Sequence, residues 1–235
     1  MIIVVGGTKG GVGKTTIATN LTVLRSLEPK AGGQRYEVML VDADEQGSAS
    51  DFVLQRNELL GRAGFTAVQL YGAAVRSEVL NLKEKYDDIV IDVGGRDTGS
   101  QRAALLVGDV YLVPFLPGSY DVWTLAPFSE LVREARVINP DLVAYCVLNK
   151  ADARGSENQQ AADLAKQEAP ELQYVDLPIV NRRAFRNTGG EGLAVSELKA
   201  KDKKAIAEME ALYRYVFGVT EAPKGNRKGI KAKSK

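Results

Sequence analysis

Seven short apolar runs recur along this chain, and the segments between most of them are long enough for a helix. The runs are IIVVGG (2–7), YEVMLVDAD (36–44), FTAVQLY (65–71), YDDIVIDVGG (86–95), DVYLVPF (109–115), LVAYCVLNK (142–150) and QYVDLPI (173–179). Most are continuous rather than alternating, the pattern of strands buried on both faces of a parallel sheet. FTAVQLY is the weakest of them. Helices are predicted over GKTTIATNLTVLRSL, about 74–85, 99–107, 120–137 and 157–168, and over SELKAKDKKAIAEMEALYRYVFG, which Gly218 ends. Such alternation predicts an α/β domain with a mostly parallel central sheet between two helical layers. With 235 residues available, one large domain accounts for 1–218. The remainder, 219–235, holds six basic groups after Glu221 and almost no apolar material, and is expected to be a disordered basic tail.

The first run leads into TKGGVGKTT (8–16) and then directly into a helix. A strand, a glycine-rich turn and a helix opening at Lys14 make a phosphate cradle, with backbone N–H groups lining the turn and the helix N-terminus adding positive character. Gly10, Gly11 and Gly13 let the backbone approach phosphate oxygens without a Cβ in the way. Val12 lies among them and Thr16 follows. Lys14 is placed to reach the β- and γ-phosphates and the Thr15 hydroxyl to hold Mg2+, as in a P-loop. The match to G-x-x-x-x-G-K-[ST] is imperfect: Thr8 stands where the first glycine belongs, and a second lysine, Lys9, follows it. Asp92 ends an apolar run at the C-terminal strand edge, where open α/β sheets bind ligands, and is expected to hold a Mg2+-bound water. Asp42 and Asp44, one residue apart at another strand end, point the same way from an extended chain and are placed beside the same ion.

In this order and spacing, KGGVGKTT, LVDADEQGS, DDIVIDVGG and VLNKAD resemble the ParA/MinD family of deviant Walker A ATPases, over roughly residues 1–217. The resemblance implies a three-layer, Rossmann-like P-loop NTPase that binds ATP with Mg2+ and hydrolyses it as an ATP-dependent homodimer. It implies that Lys9 reaches across the dimer to the partner's ATP phosphates, a charge acting as an arginine finger does elsewhere. It assigns Asp44 to the switch I aspartate that orients the attacking water, and Asp42 to the aspartate near Mg2+, reached like Asp92 through water. Asn149 is implied as a contact to the base. The chain departs from the pattern in switch I, where Asp44-Glu45-Gln46 replaces D-P-Q, and in switch II, where DVGGRDTGS lacks the usual prolines. Arg96 and Asp97 there have no assigned role. NKAD (149–152) also matches the guanine-reading N-K-x-D of GTPases, with Asp152 the residue that would read guanine; the form of the phosphate loop favours ATP.

ParA relatives bind DNA non-specifically and MinD relatives bind membrane through an amphipathic C-terminal helix. The tail PKGNRKGIKAKSK has one isoleucine and no Leu, Phe or Trp, so it lacks the apolar face that a membrane helix needs. Its charge suits a phosphate backbone. Arg182, Arg183 and Arg186, in PIVNRRAFRNTGGEG, are the candidate DNA contacts. The chain starts at the loop strand, so no operator-reading helix-turn-helix domain is expected. With 45% hydrophobic and 26% charged residues and a net charge of +1, any basic surface must be local. The chain has no histidine and one cysteine, Cys146, which is read as a buried strand residue; histidine-based zinc sites, CxxC sites and internal disulfides are thereby excluded. No signal peptide is evident, nor the roughly 18 apolar residues of a membrane span. The expectation is a cytoplasmic, nucleoid-associated ATPase that partitions or positions a plasmid, chromosome region or protein assembly through a ParB-like adaptor. The alternatives are a MinD-like regulator on membrane and a nucleotide-dependent small-molecule ligase of the same fold.

Overall fold

β1 (Ile2–Val5) is buried along its whole length because it forms the middle of the sheet. The structure is a computed structural model and describes residues 1–7, 10–95, 98–118, 122–154 and 156–219. Lys9, Arg96, Asp97 and the tail beyond Val219 lie outside the described residues. The other strands are β2 (Val38–Ala43), β3 (Thr66–Gln69), β4 (Asp88–Val93), β5 (Val110–Phe115), β6 (Val143–Ala151) and β7 (Gln173–Val180). They form one sheet in the order β3-β2-β4-β1-β5-β6-β7, and every pairing is parallel. All seven apolar runs become strands, and the weakest becomes β3, a largely exposed edge.

The helices are α1 (Lys14–Leu27), α2 (Ser48–Leu60), α3 (Ala74–Leu82), α4 (Gly99–Leu105), α5 (Ala126–Arg136), α6 (Glu157–Glu168), α7 (Arg183–Glu191) and α8 (Lys203–Phe217). Successive strand residues face opposite ways, so each central strand feeds two cores. Val4, Met39, Ile89 and Ile91 pack with apolar residues of α3, α4, α5 and α6. Ile3, Val5, Leu40 and Val90 pack with residues of α1, α7 and α8 on the other face. The result is the three-layer α/β architecture expected from the sequence. Cys146 is buried in β6, as expected.

Two elements depart from expectation. No helix is predicted over α2: its buried face is Ala49, Phe52 and Arg56, while Leu54, Leu59 and Leu60 are exposed, so no apolar stripe marks the helix. Its inward-facing Arg56 makes a two-pronged ion pair with Glu197 and donates to the carbonyls of Ala63 and Gly192. The backbones meet so closely there that a Cβ on Gly192 would stand 2.3 Å from the Arg56 nitrogen. The final helix starts at Lys203 rather than near 196, because the Asp202 carboxylate accepts from the N–H groups of Lys204 and Ala205 and caps it there.

Candidate nucleotide site

The loop after β1 emerges where the strand order reverses: β2 and β4 lie to one side of β1 and β5 to the other. Ligands of open α/β sheets bind at such a point, at the carboxyl ends of the strands. Gly13, with φ 93°, precedes α1, and no side chain among the described residues caps that helix. Its first-turn N–H groups are therefore available to an anion.

Lys14 is buried. Burial lowers its pKa below the ordinary 10.5, opposed by the nearby carboxylates of Asp92 and Asp44. The Thr15 hydroxyl donates to Asp92 Oδ2 at 2.6 Å. Parallel pairing puts Asp92 level with Val5 on one side and with Asp42 on the other. Its Oδ1 is buried with no hydrogen-bond partner among the described residues. Burial pushes the Asp92 carboxyl up to about 7; the Thr15 hydrogen bond and Lys14 oppose the shift, and Asp42 and Asp44 add to it.

Asp42 and Asp44 have different surroundings. Asp42 is buried and accepts from both the backbone N–H (2.8 Å) and hydroxyl (2.6 Å) of Ser50, so it holds the first turn of α2. Asp44 lines the cleft, and its Oδ1 accepts from the Gln46 N–H at 3.1 Å in a tight turn. Gly94 packs against it: a Cβ there would sit 3.4 Å from Asp44 Oδ1, which brings the segments after β2 and β4 together beside Lys14.

The cleft has a volume of about 430 Å3. Gly10, Gly11, Gly13, Lys14, Thr15 and Thr16 line one side, while Val12 is buried beneath the loop. The opposite wall comes from β7 and α7: Val180, Asn181, Arg182, Phe185 and Arg186, with Met209 of α8 behind. Asn149 borders the cleft, but its Nδ2 donates to the Val12 carbonyl at 2.6 Å, so the amide supports the loop. Asp152 is not among the described residues lining the cleft, and its backbone is tied at both N–H and carbonyl to the side chain of Asn158.

The three arginines separate. Arg182 makes a two-pronged ion pair with Glu208, down to 2.6 Å, and Glu208 also accepts from the Val180 N–H. That carboxylate holds the Arg182 pKa above its ordinary value and offsets its charge. Arg186 lines the nucleotide cleft, whereas Arg183 faces a different hollow with Lys199, Lys201, Lys203 and Lys204. The sequence reading missed this lysine group, together with Lys150, Asn181 and Phe185. The signal for the lysines was the run KAKDKK, which the expected helix through 196–218 absorbed.

Asp92 gives a pH-dependent prediction. Between about pH 4 and 7 a carboxyl raised from an ordinary 3.8 to about 7 is largely protonated in the folded chain while already ionised in the unfolded one. It therefore destabilises the fold increasingly as pH rises from about 4 to 7, and fully above that. Asp92→Asn keeps an acceptor for Thr15 and never ionises. In the absence of nucleotide it is expected to be more stable than the parent by about 1–3 kcal/mol at pH 8, the gain being limited because Lys14 loses a counter-charge. The gap should close near pH 4, and denaturant titrations at the two pH values measure it.

Fold and loop together define a P-loop nucleotide-binding protein. The chain belongs to the family described as the CobQ/CobB/MinD/ParA nucleotide binding domain, whose model matches residues 3–195. It is 29% identical over 224 residues to the maintenance of carboxysome distribution protein A of Halothiobacillus neapolitanus, covering 92% of this chain and 95% of that protein. Among solved structures it resembles the ATP complex of a point variant of Cyanothece McdA (TM-score 0.74, 17% identity, covering 94% of this chain and 97% of that one). It also resembles the Mg-ADP complex of the septum site-determining protein MinD of Pyrococcus horikoshii (TM-score 0.68, 19% identity, covering 92% and 95%). No helix among the described residues is long and apolar enough to cross a membrane.

Proposed function

We propose that this chain is an ATPase that binds ATP with Mg2+, dimerises on it, holds DNA regardless of sequence and positions a cargo through an adaptor protein. The observation that carries the reading is Lys14, an ammonium 6% exposed at the uncapped start of α1 and flanked by Asp92 and Asp44. A buried cation at the start of a helix, beside the N–H groups of the loop, is placed to pair with an anion such as a polyphosphate.

Thr15 and Asp92 fit Mg2+: a hydroxyl and a carboxylate with an unpartnered buried oxygen are the hard donors that ion takes, Asp92 through a water. Bound there, the ion draws charge from the phosphate oxygens. Lys14 binds the phosphates, and Lys9 is proposed to reach the partner's ATP. Asp44, at the mouth of the cleft, orients the attacking water, and Asp42 acts through Ser50 by fixing where α2 begins. Asn149 supports the loop beneath the nucleotide, and the apolar surface of Val180 and Phe185 takes the base.

For DNA we assign Arg183 with Lys199, Lys201, Lys203 and Lys204. Helix α7 borders both sites: Phe185, Arg186 and Gly189 line the cleft while Arg183, Asn187 and Glu191 line the basic hollow. Nucleotide occupancy thus bears on the helix that shapes the DNA surface, and a DNA-held ATPase acts on the nucleoid. Two relatives matching over 92% of this chain are maintenance of carboxysome distribution proteins, which supports a protein assembly as the cargo.

Asp44→Ala tests the assignment. It is expected to slow ATP hydrolysis by about 100-fold, a typical general-base or water-orienting effect, while ATP affinity and the ATP-bound dimer persist. Phosphate release and light scattering measure the two, and hydrolysis at the parent rate would overturn the role of Asp44. For the function as a whole, DNA with a partner protein is expected to stimulate turnover. Stimulation by a small acid or amine, or ATP-dependent binding to liposomes without DNA binding, would overturn it.

A further inference from the structure

Asn149 and Lys150 are neighbours in β6, and neighbouring strand residues ordinarily point to opposite faces of a sheet. Here both end on the same loop. Asn149 Nδ2 donates to the Val12 carbonyl and Lys150 Nζ to the Gly11 carbonyl, each at 2.6 Å. Two irregularities permit this. The β6–β7 register shifts between Val147 and Asn149 and again between Asn149 and Ala151, and such bulges re-aim side chains. Lys150 also has φ 51°, the one positive φ outside glycine among the described residues. A lysine gains nothing locally from left-handed backbone. Strain of this sort persists where the surroundings impose it, and it gathers at functional sites.

The grip has a directional consequence. A peptide group is planar and trans, so its N–H points opposite to its C=O. Drawing the Gly11 carbonyl onto Lys150 turns the Val12 N–H away from β6, and drawing the Val12 carbonyl onto Asn149 does the same for the Gly13 N–H. Gly13 cannot bear a side chain here, since its Cβ would stand 2.1 Å from Asn149 Nδ2. An anion-binding loop requires carbonyls turned out and successive N–H groups turned in. The charged donor on Gly11 is the stronger of the two grips, because hydrogen bonds from an ionised group are roughly twice as strong as neutral ones.

We propose that Lys150 is a positioning residue for the nucleotide phosphates: its ammonium, brought over by the strained turn of β6, sets the Gly11–Val12 peptide so that the loop presents N–H groups to the phosphate chain. This rests on the reading of the cleft as a nucleotide site. Lys150 then serves the loop rather than the base.

Calorimetric titration of ATP, ADP and AMP with Mg2+ into the parent, Lys150→Met, Lys150→Gly and Lys150→Arg tests it. Met and Gly are expected to lower ATP and ADP affinity about tenfold or more, the scale of one lost charge-assisted hydrogen bond, while AMP changes less than about twofold. Lys150→Gly relieves the left-handed strain, which offsets part of the stability lost with the hydrogen bond, so it should melt within a few degrees of the parent and its loss of affinity is not a loss of fold. Lys150→Arg, which keeps a charged donor, should recover most of the affinity. The losses should persist at high salt, where a long-range charge effect would be screened away. ATP affinity within about twofold of the parent in both Met and Gly variants would overturn the proposal, as would a parallel loss of AMP or a loss abolished by salt. A parent chain that binds none of the three nucleotides would instead remove the nucleotide reading, and this proposal with it.

Discussion

Lys14→Ala is expected to lower ATP affinity by about 100- to 1,000-fold, the largest effect of any single substitution in the cleft. The ammonium is buried at the start of α1 with Asp92 and Asp44 as its neighbouring carboxylates, and it is the main cation placed to meet phosphate oxygens among the described residues. Charge-assisted contacts contribute about 1.5–3 kcal/mol each, so losing one or two in a desolvated site accounts for a loss of that size. The nucleotide-free variant is expected to melt within a few degrees of the parent, because removing a desolvated ammonium offsets the loss of a counter-charge to Asp92. Lys9→Ala should behave differently if Lys9 acts across the dimer: monomer affinity stays within a few-fold while ATP-dependent dimerisation or turnover fails. Equilibrium titration with light scattering separates the two lysines. An equal loss of ATP affinity in both variants would remove the trans-acting role of Lys9.

Strands and the phosphate loop were legible in the sequence for a physical reason. A strand buried on both faces must be apolar at every position, and VMLVDA, DIVIDV and VYLVPF show this without a partner in view. Phosphate chemistry is local too, since loop, Lys14 and Thr15 fall within a few residues. What was hidden depends on distant pairs. Arg182 looks like free positive charge until Glu208, 26 residues on, is seen to hold it. The hold of the Asn149 amide on the Val12 carbonyl, 137 residues earlier, is invisible in the sequence. Helix α2 escaped because its inward side carries Arg56, whose partner Glu197 lies 141 residues away. The start of α8 could have been read from Asp202, a capping residue just before a run of helix formers. The lysines around it drew the helix too far toward the N-terminus.

Those lysines carry the second large effect. Lys203 and Lys204 open α8, with Lys201 and Lys199 just ahead of them, and Arg183 completes a hollow whose acidic members are Glu191 and Asp202. Cations are unfavourable at a helix N-terminus, where the macrodipole is positive, so the placement does not serve the fold. It suits the polyanion proposed above as its partner. Changing Lys199, Lys201, Lys203 and Lys204 together to alanine is expected to leave stability unchanged or raise it by about 0.3–1 kcal/mol, since Asp202 still caps the helix. In the ATP-bound dimer both copies of the hollow are lost at once. DNA affinity should then fall by about 1,000-fold or more at physiological salt, equally on every sequence, and the salt slope should drop by about one for each lysine that met a phosphate. Arg182→Ala is the contrasting variant. It should leave the salt slope alone but lower the melting temperature, because Glu208 would keep only the Val180 N–H of its present partners. Gel shifts across salt, with and without ATP, separate these outcomes. DNA binding that survives loss of the four lysines but fails in Arg182→Ala would move the interface to the mouth of the nucleotide cleft, and binding that ignores ATP would break the link through α7.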